Sequence, residues 1–185
     1  NTTPITANGR TEEPWLSTTD GMPVTGLRRQ GHELVVGTLR GIDIIQGYSA
    51  GDYTIRRVSN YWGVLSHHSM RRAGPLGSLW FAAPQGPTLY NAGAFRFAGD
   101  PIETWWLENF RLYPEIFENS YGAEDRWNGN YRLLLPQYPG FGTACSFYIN
   151  CDYFGAEIGK PAWVADRRAR NDQSMGELIA FRLPS

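Results

Sequence analysis

A chain of 185 residues, of which 42% are hydrophobic and 14% aromatic, has enough apolar material for one sizeable core or two small ones. Its 17 basic and 18 acidic residues give a net charge of −1. That balance argues against non-specific nucleic-acid binding, which needs a basic surface. No apolar run approaches the roughly 20 residues of a membrane-spanning helix, so we expect no membrane partner.

The first 29 residues are rich in Thr, Pro, Gly and charged residues, and Trp15 and Leu16 are among their few apolar side chains. This composition predicts an extended N-terminal arm over residues 1–29, followed by a β-domain over residues 30–185. Trp15 has two interpretations that the sequence leaves open. It is either part of the arm or a clamp that plugs onto the domain.

A strand pattern begins near His32. Residues 32–38 (HELVVGT) and 42–47 (IDIIQG) are short apolar runs separated by a tight-turn signal, which predicts a β-hairpin. Residues 53–58 (YTIRRV) alternate in the same way and predict a third strand. Consecutive antiparallel strands of this kind form a meander.

The hairpin pattern recurs along the chain. Residues 34–47 align with residues 79–93 at an offset of 45, as from Leu34 to Leu79, and a looser third copy runs from Tyr131 to Ile149. Self-similarity at ~40–50 residues is typical of propeller blades, which bury their faces on one another. We therefore predict an all-β fold of blade-like antiparallel meanders, as a partial or small β-propeller because about three to four blades fit. A β-sandwich is the alternative.

One segment departs from the β pattern. Residues 100–110 (DPIETWWLENF) open with a capping residue and a proline, and their apolar positions follow helical spacing. They predict a short helix near 101–110, or a loop that packs Trp105 and Trp106 on the sheets. In both cases we expect the Trp pair to be core rather than a ligand site.

The C-terminal residues divide into two parts. Residues 160–172 are charged and predicted to be exposed, whereas residues 176–183 predict a strand.

Cys145 and Cys151 would lie roughly 20 Å apart on a strand at ~3.3 Å per residue. We therefore predict two free thiols rather than a disulfide.

The sequence offers no convincing catalytic constellation. Ser66, His67 and His68 are adjacent, but neighbouring residues on a strand point to opposite faces, so we expect one histidine inside and one outside. No third ligand stands at a zinc-like spacing from the cysteines. We predict no cofactor, no metal and no catalytic residue, and a protein that is not an enzyme.

Two groups of residues are candidates for interaction. Trp127, Tyr138 and Phe141 are loop aromatics near Glu124 and Asp125, and carbohydrate sites combine aromatic platforms with carboxylates.

The other group is basic: Arg167, Arg168 and Arg170. It predicts either contact with an acidic partner surface or a solvated loop, balanced by Asp166 and Asp172.

The strands and glycine turns together resemble the β-propeller modules of tailed-bacteriophage virion proteins found around the portal, tail tube and tail nozzle. The elements that carry the resemblance are residues 34–38, 41–47, 63–69, 79–81, 86, 90–93, 101–102, 130–136, 148, 152–153 and 161–163. The resemblance rests on turns and apolar strands rather than on a chemical signature. It supplies no catalytic residues.

The resemblance implies a structural component of the virion, in the tail or the head–tail connector, that acts by protein–protein assembly. Its expected partners are other virion proteins and further copies of itself, and nucleic acid would be met only by passage through a channel. The alternative is a carbohydrate-binding or receptor-binding β-domain, with a glycan as the partner.

Overall fold

The computed structural model describes residues 18–48, 52–136, 145–157, 159–169 and 178–180. Of residues 145–148, 154, 157, 165–169 and 178–180 it describes the backbone alone. Within these residues the chain forms three antiparallel sheets, two with four strands and one with five, and no sheet closes into a barrel. The predicted mostly-β architecture of antiparallel meanders is confirmed.

The three sheets follow one another along the chain, and in each the strands pair in sequence order. The first sheet contains β1 (Gly26–Gln30), β2 (Glu33–Gly37), β3 (Ile42–Gln46) and β4 (Thr54–Ser59). The second contains β5 (Arg71–Ala73), β6 (Ser78–Ala83), β7 (Gly86–Asn91) and β8 (Ala94–Phe97). The third contains β9 (Tyr121–Asp125), β10 (Asn130–Leu135), β11 (Cys145–Asp152), β12 (Trp163–Ala169) and β13 (Leu178–Ala180).

Short helices fill the connections. A 3₁₀ turn at Asp100–Ile102 leads into α1 (Glu103–Leu112), and α2 (Pro114–Glu118) and α3 (Tyr153–Glu157) follow. The predicted helix near 101–110 is confirmed, and Trp106 on α1 is fully buried, as expected of a core residue. None of these helices, within the described residues, has the length and apolar character needed to cross a membrane.

The hairpin repeat is confirmed by the strand register. In the first sheet Leu34 pairs with Ile45, and in the second Leu79 pairs with Tyr90. Each pair of the first hairpin maps onto a pair of the second by the same offset of 45 residues. Both hairpins, β2–β3 and β6–β7, are the inner strands of their sheets.

The first and second sheets stack face to face. One core cluster joins Val35 and Ile44 of the first sheet to Leu79, Phe81 and Tyr90 of the second. The Tyr90 hydroxyl also donates to Glu33 at 2.6 Å across this contact. Burial and the Glu33 carboxylate raise the pKa of Tyr90, so its hydroxyl remains a donor.

The opposite face of the second sheet packs on the third sheet. Trp80, Ala82 and Leu89 belong to a second core cluster with residues of β10, including Tyr131 and Leu133. The rings of Trp80 and Tyr131 stack with centroids 5.0 Å apart. Every residue of β6 is therefore buried, because alternate side chains enter different cores.

The connector between the first two sheets is anchored to both. Val64 N donates to Thr38 O, and Leu65 N donates to Ala82 O, each at 2.8 Å. A Cβ at Gly37 would lie 2.4 Å from Cγ2 of Val64, so only glycine lets the connector approach β2 this closely. Residues 63–66 bridge two sheets here without forming a strand.

Several sequence expectations are wrong. The arm expected over residues 1–29 overlaps β1, whose residues from Gly26 pair with β2 as an edge strand. Trp163, within residues 160–172 that were expected to be exposed, is buried and begins β12, which lies between β11 and β13. His67 and His68 do not alternate across a strand, since a 3₁₀ turn (His67–Ser69) leaves both exposed.

The cysteine expectation is confirmed for Cys151, which is a free and buried thiol. Burial raises the pKa of Cys151 well above its usual range, so the thiol stays protonated and behaves as a small apolar core residue. Cys145 begins the same continuous strand.

We predict that Trp80→Ala lowers the free energy of unfolding by about 3–5 kcal/mol, because the wholly buried ring fills the contact between the second and third sheets. Trp127→Ala is the matched control, since that side chain is 98% exposed, and should change stability by less than about 0.5 kcal/mol. Urea unfolding followed by circular dichroism measures both. Equal losses from the two variants would contradict this packing.

Candidate functional site

The outer face of the first sheet carries a group of accessible apolar side chains. Leu27, Leu34 and Ile45 lie on it, on the side opposite Val35 and Ile44, and all three are half-buried or exposed. A groove of about 380 Å³ runs over this face. The groove is lined by Arg29, His32, Glu33, Leu34, Ile45, Gly47, Tyr48 and Tyr53.

Charged groups lie at the rim of this groove. Arg29 is exposed and is paired in register with Leu34, so its guanidinium lies beside the apolar positions. Glu33 is already engaged by Gln46 Nε2 at 2.8 Å and by the Tyr90 hydroxyl. The surface therefore combines apolar and aromatic side chains with one accessible positive charge, a composition typical of protein-binding faces.

The other end of the outer face is covered by an N-terminal ionic cluster, here called the Asp20 clasp: Thr19, Asp20, Thr38, Asp43 and Arg57. Arg57 forms ion pairs with Asp20 and with the buried Asp43. Thr19 donates its backbone N–H and its hydroxyl to Asp43 at 2.9 and 2.7 Å. Thr38 donates to Asp20 at 2.9 Å. The clasp thus fixes the segment before β1 onto the sheet.

The clasp shifts the pKa of Asp20 strongly. Partial burial raises that pKa, but hydrogen bonds from Arg57, the Met22 N–H and Thr38 outweigh it and hold the pKa of Asp20 well below its ordinary value of 3.8. Burial lowers the pKa of Arg57, but hydrogen bonds and charge attraction from Asp20 and Asp43 raise it by more. The net shift of the Arg57 pKa is upward. Both groups are therefore charged throughout the neutral range.

The turn between β9 and β10 presents the most exposed aromatic side chain. Trp127 is 98% exposed, yet its turn is ordered by Asp125, which accepts from the N–H groups of Trp127 and Asn128 at 3.2 and 3.3 Å. Arg132 forms an ion pair with the same carboxylate. A hydrogen-bonded turn that exposes an indole ring to solvent can anchor a ligand or a protein partner.

Beside this turn lies an open, mainly polar pocket of about 500 Å³ between the second and third sheets. Its lining includes Arg72, Glu124 and Arg126, and Arg126 Nε donates to Glu124 at 2.7 Å. Glu124 and Asp125 are each paired with an arginine, so the two carboxylates next to Trp127 hold the turn together.

Ser66, His67 and His68 each make contacts that hold neighbouring elements together. Ser66 is buried, and its hydroxyl donates to Ser120 O at 2.8 Å. His67 Nδ1 accepts from Leu27 N–H at 3.2 Å, and His68 stacks on Tyr121 with ring centroids 4.9 Å apart. These contacts join the connector to the first and third sheets.

His67 is a neutral hydrogen-bond acceptor in this arrangement. Burial lowers the pKa of His67, and the positive charges of His68, Arg28 and Arg71 lower it further. The low pKa keeps Nδ1 free to accept from Leu27.

The remaining predicted interaction residues are only partly described. Arg167 and Arg168 lie on β12, paired with Phe147 and Ser146 of β11, so they belong to a strand and the loop expected for them is wrong. Tyr138, Phe141 and Arg170 lie outside the described residues. In the described part of the chain, no group of three His, Cys, Asp or Glu side chains is placed to hold a metal ion.

No protein-family model matches this chain, and no curated protein sequence matches it either. Its class is therefore defined by the fold alone: a mostly-β protein of three stacked antiparallel meanders with an open apolar face at one end of the stack.

We predict that Asp20→Asn lowers the free energy of unfolding by about 1–2 kcal/mol at pH 7, because it breaks the pair with Arg57. A carboxyl with a depressed pKa stabilises the fold above its unfolded pKa and loses that contribution as the pH falls through the folded one. The difference between wild type and variant should therefore be complete above about pH 5 and shrink steadily below pH 4.

Glu108→Gln on the exposed face of α1 is the matched control and should show no comparable difference at either pH. Urea unfolding at a series of pH values provides the measurement. A destabilisation by Asp20→Asn that grows toward acid pH would contradict the clasp.

Proposed function

We propose that the protein is a structural component of a tailed-phage virion, in the tail or the head–tail connector, and that it acts by protein–protein assembly. The observation that carries the proposal is the stacking of three similar meanders face to face, with an apolar face left open at one end. Blades of a propeller bury their surfaces in this way, each on its neighbours.

The stack favours the blade interpretation over a β-sandwich for a physical reason. A sandwich has two sheets and one core between them, whereas here the middle sheet contributes to two cores through opposite faces. We therefore infer that the chain forms part of a β-propeller. The same hairpins and glycine turns resemble the propeller modules of phage virion proteins. That resemblance supports the proposed location in a virion.

The proposal is tested on purified particles of a phage that encodes this chain. Mass spectrometry of particles purified through a density gradient should detect the chain at a constant number of copies per particle. A gold-labelled antibody against the chain should mark the tail or the head–tail junction in electron micrographs. Infectious particles that lack the chain would contradict the proposal.

A second candidate function is glycan or receptor binding, and the exposed Trp127 on its ordered turn favours it. A flat indole next to paired charges suits a sugar ring, which stacks its apolar face on aromatic side chains.

If Trp127 carries this function, Trp127→Ala should weaken binding to a glycan identified on an array by about 30-fold, since exposed Trp anchors contribute about 2 kcal/mol. Tyr61→Ala is the aromatic control, because Tyr61 is 62% exposed on a different loop. An array without hits, or equal binding by both variants, would rule this candidate out.

A further inference from the structure

The sheets stack in one direction, with unlike faces in contact. Val35 and Ile44 of the first sheet face the second sheet. Their equivalents 45 residues later, Trp80 and Leu89, face the third sheet. Each sheet therefore offers the same kind of face to the next one, which makes the contact head-to-tail rather than two-fold.

Among the residues that the structure describes, the first sheet has no neighbouring sheet on its other side. Leu79 and Tyr90 of the second sheet are covered by the first sheet and fully or almost fully buried. Their equivalents Leu34 and Ile45 are only half-buried and line the groove of about 380 Å³. The groove on the first sheet therefore corresponds to a space that is filled on the second sheet, where side chains of the first sheet cover the equivalent residues.

The described part of the third sheet's outer face consists of Arg132, Leu134, Asn150 and Val164, all of them half-buried. Tyr131 and the residues that alternate with it along β10 are fully buried on the opposite side. Leu134 and Val164 supply apolar surface on this outer side, beside the polar Arg132 and Asn150.

We propose that the outer face of the first sheet binds the outer face of the third sheet of a second copy, so that copies stack head to tail. The contact continues the order already present within the chain. Leu134 would enter the groove between Leu34 and Ile45. This contact rests on the proposed assembly function and specifies its partner.

A two-fold contact between copies is disfavoured by the same surfaces. Pairing two first-sheet faces would depart from the unlike-face order within the chain and would leave the outer face of the third sheet uncovered. A head-to-tail contact covers both faces. Heterologous contacts of this kind generate rings or filaments, which suits a tubular assembly.

The test uses two variants with one reactive cysteine each, Ile45→Cys and Leu134→Cys, both made in a Cys145→Ser background. Cys151 is buried and stays unreactive under native conditions. Each variant is treated alone and in an equal mixture with a short bis-maleimide. We expect the crosslinked dimer of unlike variants to exceed either dimer of like variants about tenfold, a difference of about 1.4 kcal/mol.

Predominant crosslinking of Ile45→Cys to itself would overturn the head-to-tail contact, and so would the absence of crosslinks at all concentrations. As a second measurement, Leu34→Asp should raise the dissociation constant in sedimentation velocity about tenfold, because it places a charge in the apolar groove. Leu112→Arg, on the exposed side of α1, should leave that constant unchanged. Circular dichroism confirms that both variants fold.

The two proposals fail separately. A chain that is present in purified particles but does not crosslink between Ile45→Cys and Leu134→Cys overturns the head-to-tail contact and leaves the structural role in place. A chain that crosslinks as expected but is absent from particles overturns the virion role alone.

Discussion

The double burial of β6 is the constraint on which the rest of the structure depends. Its side chains alternate between two cores, with Leu79 and Phe81 against the first sheet and Trp80 against the third. A strand with both faces buried must be mostly apolar, and it must have a packing layer on each side. The three-layer order follows from that requirement, because removing either outer sheet would expose half of a strand that is apolar from Leu79 to Ala83.

A buried polar junction at the connector joins the three layers. Ser69 lies at its centre: the Ser69 hydroxyl donates to Ser66 O at 2.7 Å and accepts from Ala82 N–H at 3.0 Å. The Tyr131 hydroxyl donates to Ser69 O at 2.8 Å, which ties the third sheet to the same point. Buried polar groups of this kind are stabilising only when they are paired, so the junction fixes the relative position of the sheets.

The inner hairpins were predictable from the sequence and the edges were not. The run from Leu34 and its copy from Leu79 show period-two apolar positions around a glycine turn, which is a local signal. The edge strand β1 carries two arginines within five residues, as edges often carry charge, so its composition resembles an arm. The Asp20 clasp joins residues 37 positions apart, and no local pattern predicts such a pair. Trp127 was predictable as an interaction candidate, whereas the groove on the first sheet depends on tertiary stacking.

The two ends of the stack differ in chemistry, and this difference has a functional consequence. The outer face of the first sheet is apolar around Leu34 and Ile45, and an apolar face alone associates with many surfaces. The outer face of the third sheet carries the half-buried polar side chains of Arg132 and Asn150, and a partner that covers these groups without hydrogen-bonding to them loses their hydration. An assembly that uses both faces therefore gains affinity from one and discrimination from the other. A stack with two apolar ends would associate in either direction and would have no means of selecting its order.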